Sequence, residues 1–303
     1  MLTYVFKYDK LKRQMYMITV FTPTYNRGYI IKHLYDSLVL QNYKDFEWLV
    51  MDDGSTDDTE ELFKSFIAER KIKIHYSKVK NGGKHRAINK GLELARGNFF
   101  FIVDSDDYLP GNALERVSFF TKQIESEDAF AGVSGLKIYP DGRKVGGEAK
   151  YTILDTDSIN IREKYKVKGD MAEVFKTEIL KQYPFPEFEG EMFISEGIVW
   201  SRIAQKYKLR YFYEGIYICD YLEDGLTKSI RKHHRNSPKG TMLTYNQVMR
   251  QKRCLKTKVI AAINYWRYTI QYPHRRNGEL APIWWTYFFY PLGLFFYLKD
   301  SLK

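Results

Sequence analysis

Three acidic side chains follow a short apolar run in the first half of the chain. Asp104, Asp106 and Asp107 come directly after residues 99–103, which read FFFIV. Carboxylates are natural ligands of hard divalent cations, and such a cation stabilises negative charge on the oxygens of a nucleotide diphosphate. The Asp104-Ser105-Asp106 motif therefore predicts a site for a divalent cation, with Asp104 and Asp106 sharing contacts to the metal and to a ribose. The alternative is a solvated turn, which aspartate favours.

Two further motifs offer groups for a nucleotide. In Asp52-Asp53-Gly54-Ser55, the Asp53 carboxylate could accept hydrogen bonds from a base or a ribose. Ser55 and Asp58 have capping-box spacing and predict the start of a helix. In Gly82-Gly83-Lys84, the glycines allow close approach of a phosphate and Lys84 can neutralise it.

The segment TPTYNR, residues 22–27, is a fourth motif. Its hydroxyls belong to Thr22 and Thr24, and Tyr25 offers an aromatic face for a base. Arg27 offers a guanidinium for phosphate. The segment lacks the glycines of a dinucleotide-binding loop.

The hydrophobic pattern places these four motifs at one edge of a sheet. Strands are predicted at 16–21, 46–51, 72–76 and 99–103, separated by helices over 28–41, from 55 onward and through 87–95, with another helix after Pro110. This alternation predicts a parallel sheet with right-handed crossovers, a Rossmann-like half. Each motif follows the carboxyl end of a strand, so the four should face one crevice.

The second half of the chain has a less regular pattern. We expect a strand at 129–138, loops and short strands over 141–169, a helix at 192–207, a strand at 210–219 and a long helix over 240–270. The chain shows no internal repeat.

Composition restricts the class of protein. The apolar fraction of 44% excludes a disordered chain. Two isolated cysteines make neither a disulfide framework nor a zinc site. The charged N-terminus does not resemble a signal peptide, so we expect a cytoplasmic protein, with residues 1–15 as an appendage.

The positive charge is concentrated near the C-terminus. Thirteen Lys and Arg residues lie between 228 and 276, and no Asp or Glu lies between 225 and 278. Residues 281–298 (APIWWTYFFYPLGLFFYL) then carry no charge but are interrupted by Pro291 and Gly293. Together these features predict attachment to an anionic membrane surface rather than a spanning helix. The alternatives are a helix packed on the catalytic domain or a dimer contact.

The motifs TPTYNR, LVMDDGSTDDT, NGGKHRAINKGLELARG and FFFIVDSDD together resemble family 2 glycosyltransferases of the GT-A fold, of the type that builds bacterial surface polysaccharides. The resemblance is close over about 16–125 and looser to about 225. It implies an α/β GT-A catalytic domain over 16–225. Its nucleotide-binding half would be 16–110 and its acceptor half 111–225. A basic helical region with an aromatic extension would follow at 226–303.

The resemblance also implies roles for single residues in a donor site. Pro23, Tyr25 and Arg27 match positions that contact the nucleoside in the family. Asp53 matches the position that reads uracil, so a UDP-sugar is the favoured donor. Lys84 is expected near the base or the diphosphate.

For the metal, the resemblance implies Asp106 as the position that binds Mn²⁺ or Mg²⁺, with Asp104 near the ribose and the metal. The neighbouring Ser105 completes this motif. His233 or His234, with His234 the one favoured, could be a further ligand, because a neutral imidazole binds metals well. Both lie in a basic segment after Glu223-Asp224-Gly225 that we expect to be a loop, either folded over the diphosphate or simply solvated.

The family resemblance further implies an inverting mechanism, in which one carboxylate deprotonates the acceptor hydroxyl. We predict Glu196 as this base, with Glu191 as the rival. The Gln-x-x-Arg-Trp motif of processive synthases is absent after Glu196. One sugar per cycle is therefore the favoured outcome.

The leading hypothesis is a transferase that adds a sugar to a lipid-linked saccharide on the inner face of the membrane. One alternative is a nucleotidyltransferase that forms sugar nucleotides. That class usually carries a Gly-rich, Arg-containing loop, which TPTYNRG does not match. The other alternative is a basic nucleic-acid-binding protein. The acidic site argues against it, because unneutralised carboxylates repel phosphates.

Overall fold

A mixed β-sheet forms the centre of the molecule. The structure, a computed structural model, describes residues 16–219, 226–272 and 278–302. In that part of the chain the strands are β1 Tyr16–Thr24, β2 Phe46–Asp52, β3 Ile74–Lys78, β4 Gly97–Ile102, β5 Phe130–Ile138, β6 Ile153–Thr156, β7 Met171–Lys176 and β8 Lys208–Ile218. They lie side by side in the order β3-β2-β1-β4-β7-β5-β8-β6. The predicted appendage 1–15 lies outside the described residues.

The first four strands are parallel, as predicted. The helices that connect or follow them are α1 Lys32–Val39, α2 Thr59–Glu69, α3 Lys84–Leu94 and α4 Ala113–Lys122. Strand β4 is covered on both faces: Phe100 packs in one hydrophobic cluster, and Phe99 and Phe101 pack in the cluster on the other face. Burial on both faces explains its continuous apolar sequence.

The capping box predicted at Ser55 is wrong, because α2 begins only at Thr59. The Ser55 hydroxyl instead accepts a hydrogen bond from the Asn26 amide, and the Ser55 amide donates to the Asp52 carboxylate. These bonds fix the turn after β2. The hydroxyl of Ser55 is therefore used to hold two motif loops together.

Residues 111–225, the predicted acceptor half, are joined to the first four strands by β7, which the sequence pattern did not reveal. This strand is antiparallel to both β4 and β5. The helices of this part of the chain are short: α5 Asn160–Glu163 before β7, and α6 Thr177–Leu180 and α7 Gly197–Ile203 after it. The helix predicted at 192–207 therefore covers a shorter span. Before it, the Phe188 and Glu191 carbonyls accept hydrogen bonds from Arg86, so this backbone is fixed without helical bonds.

Helices form the C-terminal region: α8 Leu226–Asn236, α9 Pro238–Arg250, α10 Leu255–Thr269, a 3₁₀ helix Trp284–Phe289 and α11 Tyr290–Ser301. The single long helix predicted over 240–270 is wrong. Gln251 takes an extended conformation between α9 and α10, and its side-chain amide donates to the Ser201 carbonyl. The loop predicted around His234 is also wrong, because α8 is helical from Leu226. Residues 223–225 lie outside the described residues.

The aromatic segment 281–298 packs with one side and exposes the other. Gly293 lies against Trp266, and Arg267 forms a bidentate ion pair with Asp300, so α11 is docked on α10. Its opposite side carries an apolar stripe of five exposed side chains. The stripe consists of Phe288, Leu292, Phe295, Leu298 and Leu302. Within the described residues, no helix combines the length and the hydropathy needed to cross a bilayer.

Candidate functional site

Lys84 joins the two halves of the domain at the carboxyl edge of the sheet. Its ammonium lies 2.5 Å from an Asp104 carboxylate oxygen and 2.8 Å from a Glu196 carboxylate oxygen. Asp104 follows β4, Lys84 begins α3, and Glu196 directly precedes α7. Three residues that the sequence singled out, spread over residues 84–196, therefore form one cluster.

Glu196 is held in place by contacts between α3 and the segment before α7. The Arg86 guanidinium donates to the Phe188 and Glu191 carbonyls, each at 2.6 Å. Gly83 has φ +94°, and a Cβ there would lie 2.1 Å from the Met192 carbonyl oxygen, so only glycine fits. The carboxylate of Glu196 makes no capping bond to α7. It is thus directed to the crevice by its flanking backbone.

The two predicted candidates for the base lie in different surroundings. Both oxygens of the Glu191 carboxylate accept hydrogen bonds of 2.8 Å from the Lys239 and Gly240 amides at the start of α9. Glu191 is 6% exposed. Its carboxylate therefore stabilises a helix N-terminus. Glu196 is paired with Lys84 and is 35% exposed at its side chain, so it can reach a bound molecule.

The turn that carries Asp104 is held by Tyr217 of β8. The Tyr217 hydroxyl accepts a hydrogen bond of 3.0 Å from the Asp104 amide and donates one of 2.6 Å to Asp107. Tyr217 is fully buried. The third acid of the turn, Asp107, thus fixes the backbone conformation that presents Asp104 and Asp106.

The electrostatics of this turn suit a divalent cation. Burial would raise the pKa of Asp104, but Lys84, Lys137 and Arg27 together outweigh it and hold that pKa low. Burial and repulsion from Asp104 raise the pKa of Asp106, and the same two causes raise the pKa of Asp107 to about 7. A cation beside Asp104 and Asp106 would relieve this repulsion, and hard oxygen ligands fit Mn²⁺ or Mg²⁺.

A complete ligand set is not preassembled. Across residues 16–219, 226–272 and 278–302, no group of three or more His, Cys, Asp or Glu side chains is arranged to hold a metal. The imidazole of His234 lies 3.1 Å from the Thr241 hydroxyl and stacks on Tyr268 at 5.0 Å between ring centres. Burial lowers the pKa of His234 to about 4, so its ring is neutral. Its role as a metal ligand stays a prediction.

Asp53 lies at the carboxyl end of β2 and is buried. Its two carboxylate oxygens accept hydrogen bonds of 2.7 Å from the Gly82 and Gly83 amides. Burial raises its pKa, and these two amides oppose that rise. The glycine amides are therefore bound to Asp53 rather than open to a phosphate. Each oxygen of Asp53 retains a lone pair that a base could use.

The TPTYNR motif combines buried and exposed groups. The Thr22 hydroxyl is buried and accepts a hydrogen bond from the Trp48 indole. The Thr24 carbonyl accepts a hydrogen bond from the Asp53 amide. Tyr25 is 48% exposed. The Arg27 guanidinium contacts the Tyr29 hydroxyl, and its charge helps to lower the pKa of Asp104 and opposes the rise at Asp106. Pro23 and Ser105 are both buried. The donor contacts predicted for this motif stay predictions.

Two groups of the cluster were not predicted. Lys137 of β5 lies with its ammonium 3.9 Å from the centre of the Tyr217 ring. Glu173 of β7 is half-buried, and burial raises its pKa to about 7. Both come from strands without a local motif. The sign of each in the sequence is a single charged residue within an otherwise mostly apolar strand.

An α/β sheet whose acidic turn, lysine and candidate base meet at its carboxyl edge has the architecture of the GT-A fold. Residues 19–164 match the sequence profile described as Glycosyl transferase family 2. The match covers 146 of the 303 residues and identifies this segment as a glycosyl transferase family 2 domain.

Relatives and solved structures agree with this assignment. The chain is 28% identical over 204 residues to the GalNAc(5)-diNAcBac-PP-undecaprenol beta-1,3-glucosyltransferase of Campylobacter jejuni, an alignment that covers 65% of this chain and 61% of that protein. It thus spans less than two thirds of the length of the curated relatives that it matches.

Two solved structures share its fold. The S. aureus TarS 1–349 complex with UDP-GlcNAc has a TM-score of 0.61 at 22% identity, covering 84% of this chain and 73% of that one. The mannosyltransferase PcManGT of Pyrobaculum calidifontis with GDP-Man and Mn²⁺ has a TM-score of 0.57 at 15% identity, covering 100% and 83%.

Proposed function

We propose that the protein is an inverting glycosyltransferase that moves one sugar from a UDP-sugar to an acceptor hydroxyl. The observation that carries this proposal is the Lys84 bridge between Asp104 and Glu196. It brings a donor-side acid and an acceptor-side acid to one crevice. The complex of TarS with UDP-GlcNAc supports a nucleotide-sugar donor.

The proposed reaction is a single displacement. The Glu196 carboxylate takes the proton of the acceptor hydroxyl as that oxygen attacks the anomeric carbon. The bond from the anomeric carbon to the diphosphate breaks, and UDP leaves with the electron pair. Attack opposite the leaving group inverts the anomeric centre. Glu196 keeps one oxygen away from Lys84, and that oxygen is available for the proton.

The donor is bound by the edge of the nucleotide-binding half. Asp53 would read the uracil, with Pro23, Tyr25 and Arg27 around the nucleoside. Asp104 and Asp106 would hold Mn²⁺ or Mg²⁺, with His234 as the predicted further ligand. The metal would supply charge stabilisation for the leaving diphosphate. The Mn²⁺ in the PcManGT structure supports this choice of metal.

Donor hydrolysis tests the proposal. Purified protein is incubated with UDP-, GDP- and dTDP-sugars in Mn²⁺ or in EDTA, beside Asp106→Ala. We expect turnover of one UDP-sugar, and loss of that turnover in EDTA and in the variant. Turnover of a UDP-sugar that is unchanged by EDTA would remove the metal from the proposal. No binding of any nucleotide by calorimetry would overturn the donor assignment.

The acceptor is proposed to be a lipid-linked saccharide at the inner face of the membrane. The apolar stripe supports this, because Phe288 and Phe295 are 78% and 58% exposed. Asp300 of the same helix α11 lies within 4 Å of Arg231 and Arg235 of α8 and Arg267 of α10. These three positive charges exceed its single negative charge. Exposed apolar residues with neighbouring cations bind anionic lipid surfaces. The Campylobacter relative is named for an undecaprenol-linked acceptor, which supports the same class.

Flotation with vesicles tests the membrane surface. The protein is mixed with vesicles of phosphatidylcholine alone or with anionic phosphatidylglycerol. We expect binding to the anionic vesicles only, and its loss in Phe288→Ser/Phe295→Ser. Leu40→Ser, at a residue 71% exposed elsewhere, is the matched control and should still bind. A stripe that instead joins two copies would give a concentration-dependent dimer in light scattering that the double variant abolishes.

A further inference from the structure

We propose that Lys137 binds a phosphate oxyanion in the crevice, as a cation of the active site additional to Lys84. The inference deepens the proposed function and rests on its assignment of the crevice as the site of transfer. It concerns a residue that lies in the acceptor half, outside every motif of the nucleotide-binding half.

The first argument is the location of the Lys137 ammonium. It lies 3.9 Å from the centre of the Tyr217 ring, and the hydroxyl of that ring contacts Asp104 and Asp107. Burial would lower the pKa of Lys137, but Asp104 and Asp107 outweigh it and raise that pKa, with Glu196 adding to the rise. The ammonium is therefore charged and lies beside the Tyr217 ring that holds the acidic turn.

The second argument is its lack of a direct partner. Within the described residues, the Lys137 ammonium makes no hydrogen bond and no ion pair within 4 Å. Lys84 is different, because its ammonium contacts two carboxylates at 2.5 and 2.8 Å. A half-buried ammonium held only by an aromatic ring has unfilled hydrogen-bond donors, and desolvated donors are normally satisfied by an anion. Lys137 thus remains available to a ligand in a cluster where Lys84 is already paired.

The third argument is chemical fit. The anions that enter this crevice in the proposed reaction are phosphates. The donor diphosphate gains negative charge as it leaves, and a lipid-linked acceptor carries a diphosphate of its own. A lysine is a point charge that binds either oxyanion. The shared ligand is therefore a phosphate oxygen, and the experiment separates its two sources.

Calorimetry on wild type, Lys137→Met and Lys137→Arg tests the inference. The probes are uridine, UDP and inorganic pyrophosphate, all with the same Mn²⁺ concentration. If the donor diphosphate is the ligand, Lys137→Met weakens UDP and pyrophosphate binding by about tenfold or more and uridine binding by less than about twofold. Lys137→Arg retains most of the affinity. If the acceptor phosphate is the ligand, UDP affinity is unchanged, and pyrophosphate binding to the UDP-saturated protein falls instead.

Lys122→Met, at an exposed lysine of α4, is the matched control. A purely structural role of Lys137 would weaken uridine and UDP binding alike and lower the unfolding temperature, which would overturn the proposal. Unchanged affinity for UDP and pyrophosphate in both arms would overturn it as well, as would a wild-type protein that binds neither. If wild type binds pyrophosphate as tightly as UDP, the uridine contributes nothing to binding and the assignment of a UDP-sugar as donor is wrong. The pyrophosphate affinities of the Lys137 variants still test the role of Lys137 in that case.

Discussion

Lys84→Met removes the cation that two carboxylates share while keeping the apolar stem of the side chain. The side chains of Lys84, Asp104 and Glu196 are 26%, 31% and 35% exposed. Loss of one partner from a fully buried ion pair costs about 3–5 kcal/mol, and exposed pairs contribute about 0–1 kcal/mol. These partly exposed pairs lie between the two limits, so we expect a loss of about 2 kcal/mol in the free energy of unfolding.

The same variant tests the competition between Lys84 and a metal. The ammonium lies against an oxygen of Asp104, so a divalent cation at Asp104 must displace or face it. Without that ammonium, Mn²⁺ should bind about tenfold more tightly, which corresponds to about 1.4 kcal/mol. Added Mn²⁺ should therefore stabilise Lys84→Met more than it stabilises wild type, and recover part of the loss.

The assay is thermal or urea unfolding with and without Mn²⁺ in the absence of donor. Lys90→Met is the matched control, because Lys90 lies on the same helix and pairs with Glu93 at the exposed surface. It should change stability by less than about 1 kcal/mol and leave the Mn²⁺ effect as in wild type. Equal stabilisation by Mn²⁺ in wild type and Lys84→Met would refute the competition, and unchanged stability of Lys84→Met would refute the energetic role of the bridge.

Two further predictions concern groups outside the reaction. Glu191→Ala removes the acceptor of two hydrogen bonds from amides at the start of α9. It should lower the free energy of unfolding by about 2 kcal/mol and speed hydrogen exchange in α9. Unchanged exchange in α9 would show that Glu191 does not hold this helix. Burial lowers the pKa of His85 to about 4, below the usual 6.5, so stability falls as pH drops below about 6.5. In urea titrations, the free energy of unfolding of His85→Leu should fall by about 2 kcal/mol less than that of wild type between pH 7 and pH 5. Parallel pH curves for the two proteins would contradict this.

The nucleotide-binding half could be predicted from the sequence because its signals are local. Strands β1, β2 and β4 are mostly apolar runs, and a polar motif follows the carboxyl end of each of the first four strands. The topology of parallel strands then brings the motifs to one edge. The structure agrees for Asp53 with Gly82, and for Lys84 with Asp104. Where the prediction failed, as at Ser55, a tertiary hydrogen bond replaced the local capping bond.

The acceptor half was harder because its partners are far apart in sequence. Lys137 and Tyr217 are neighbours only through the pairing of β5 with β8, which carries register shifts. No periodic pattern encodes such a register, since it is set by packing and loop geometry. Glu196 was predicted as the base only through family resemblance. The separate role of Glu191 depends on α9, which lies about 50 residues further along the chain.

The most direct test of the proposed mechanism compares Glu196→Gln with Glu191→Gln in sugar transfer and donor hydrolysis. Both variants keep the shape of the side chain and remove its charge. We expect Glu196→Gln to lower kcat by about 100-fold or more without weakening UDP binding, because general-base catalysis contributes about 10²–10⁴-fold. Glu191→Gln should retain kcat within about tenfold, because its carboxylate caps a helix. Near-normal turnover in Glu196→Gln, with loss in Glu191→Gln, would contradict the assignment of Glu196 as the base.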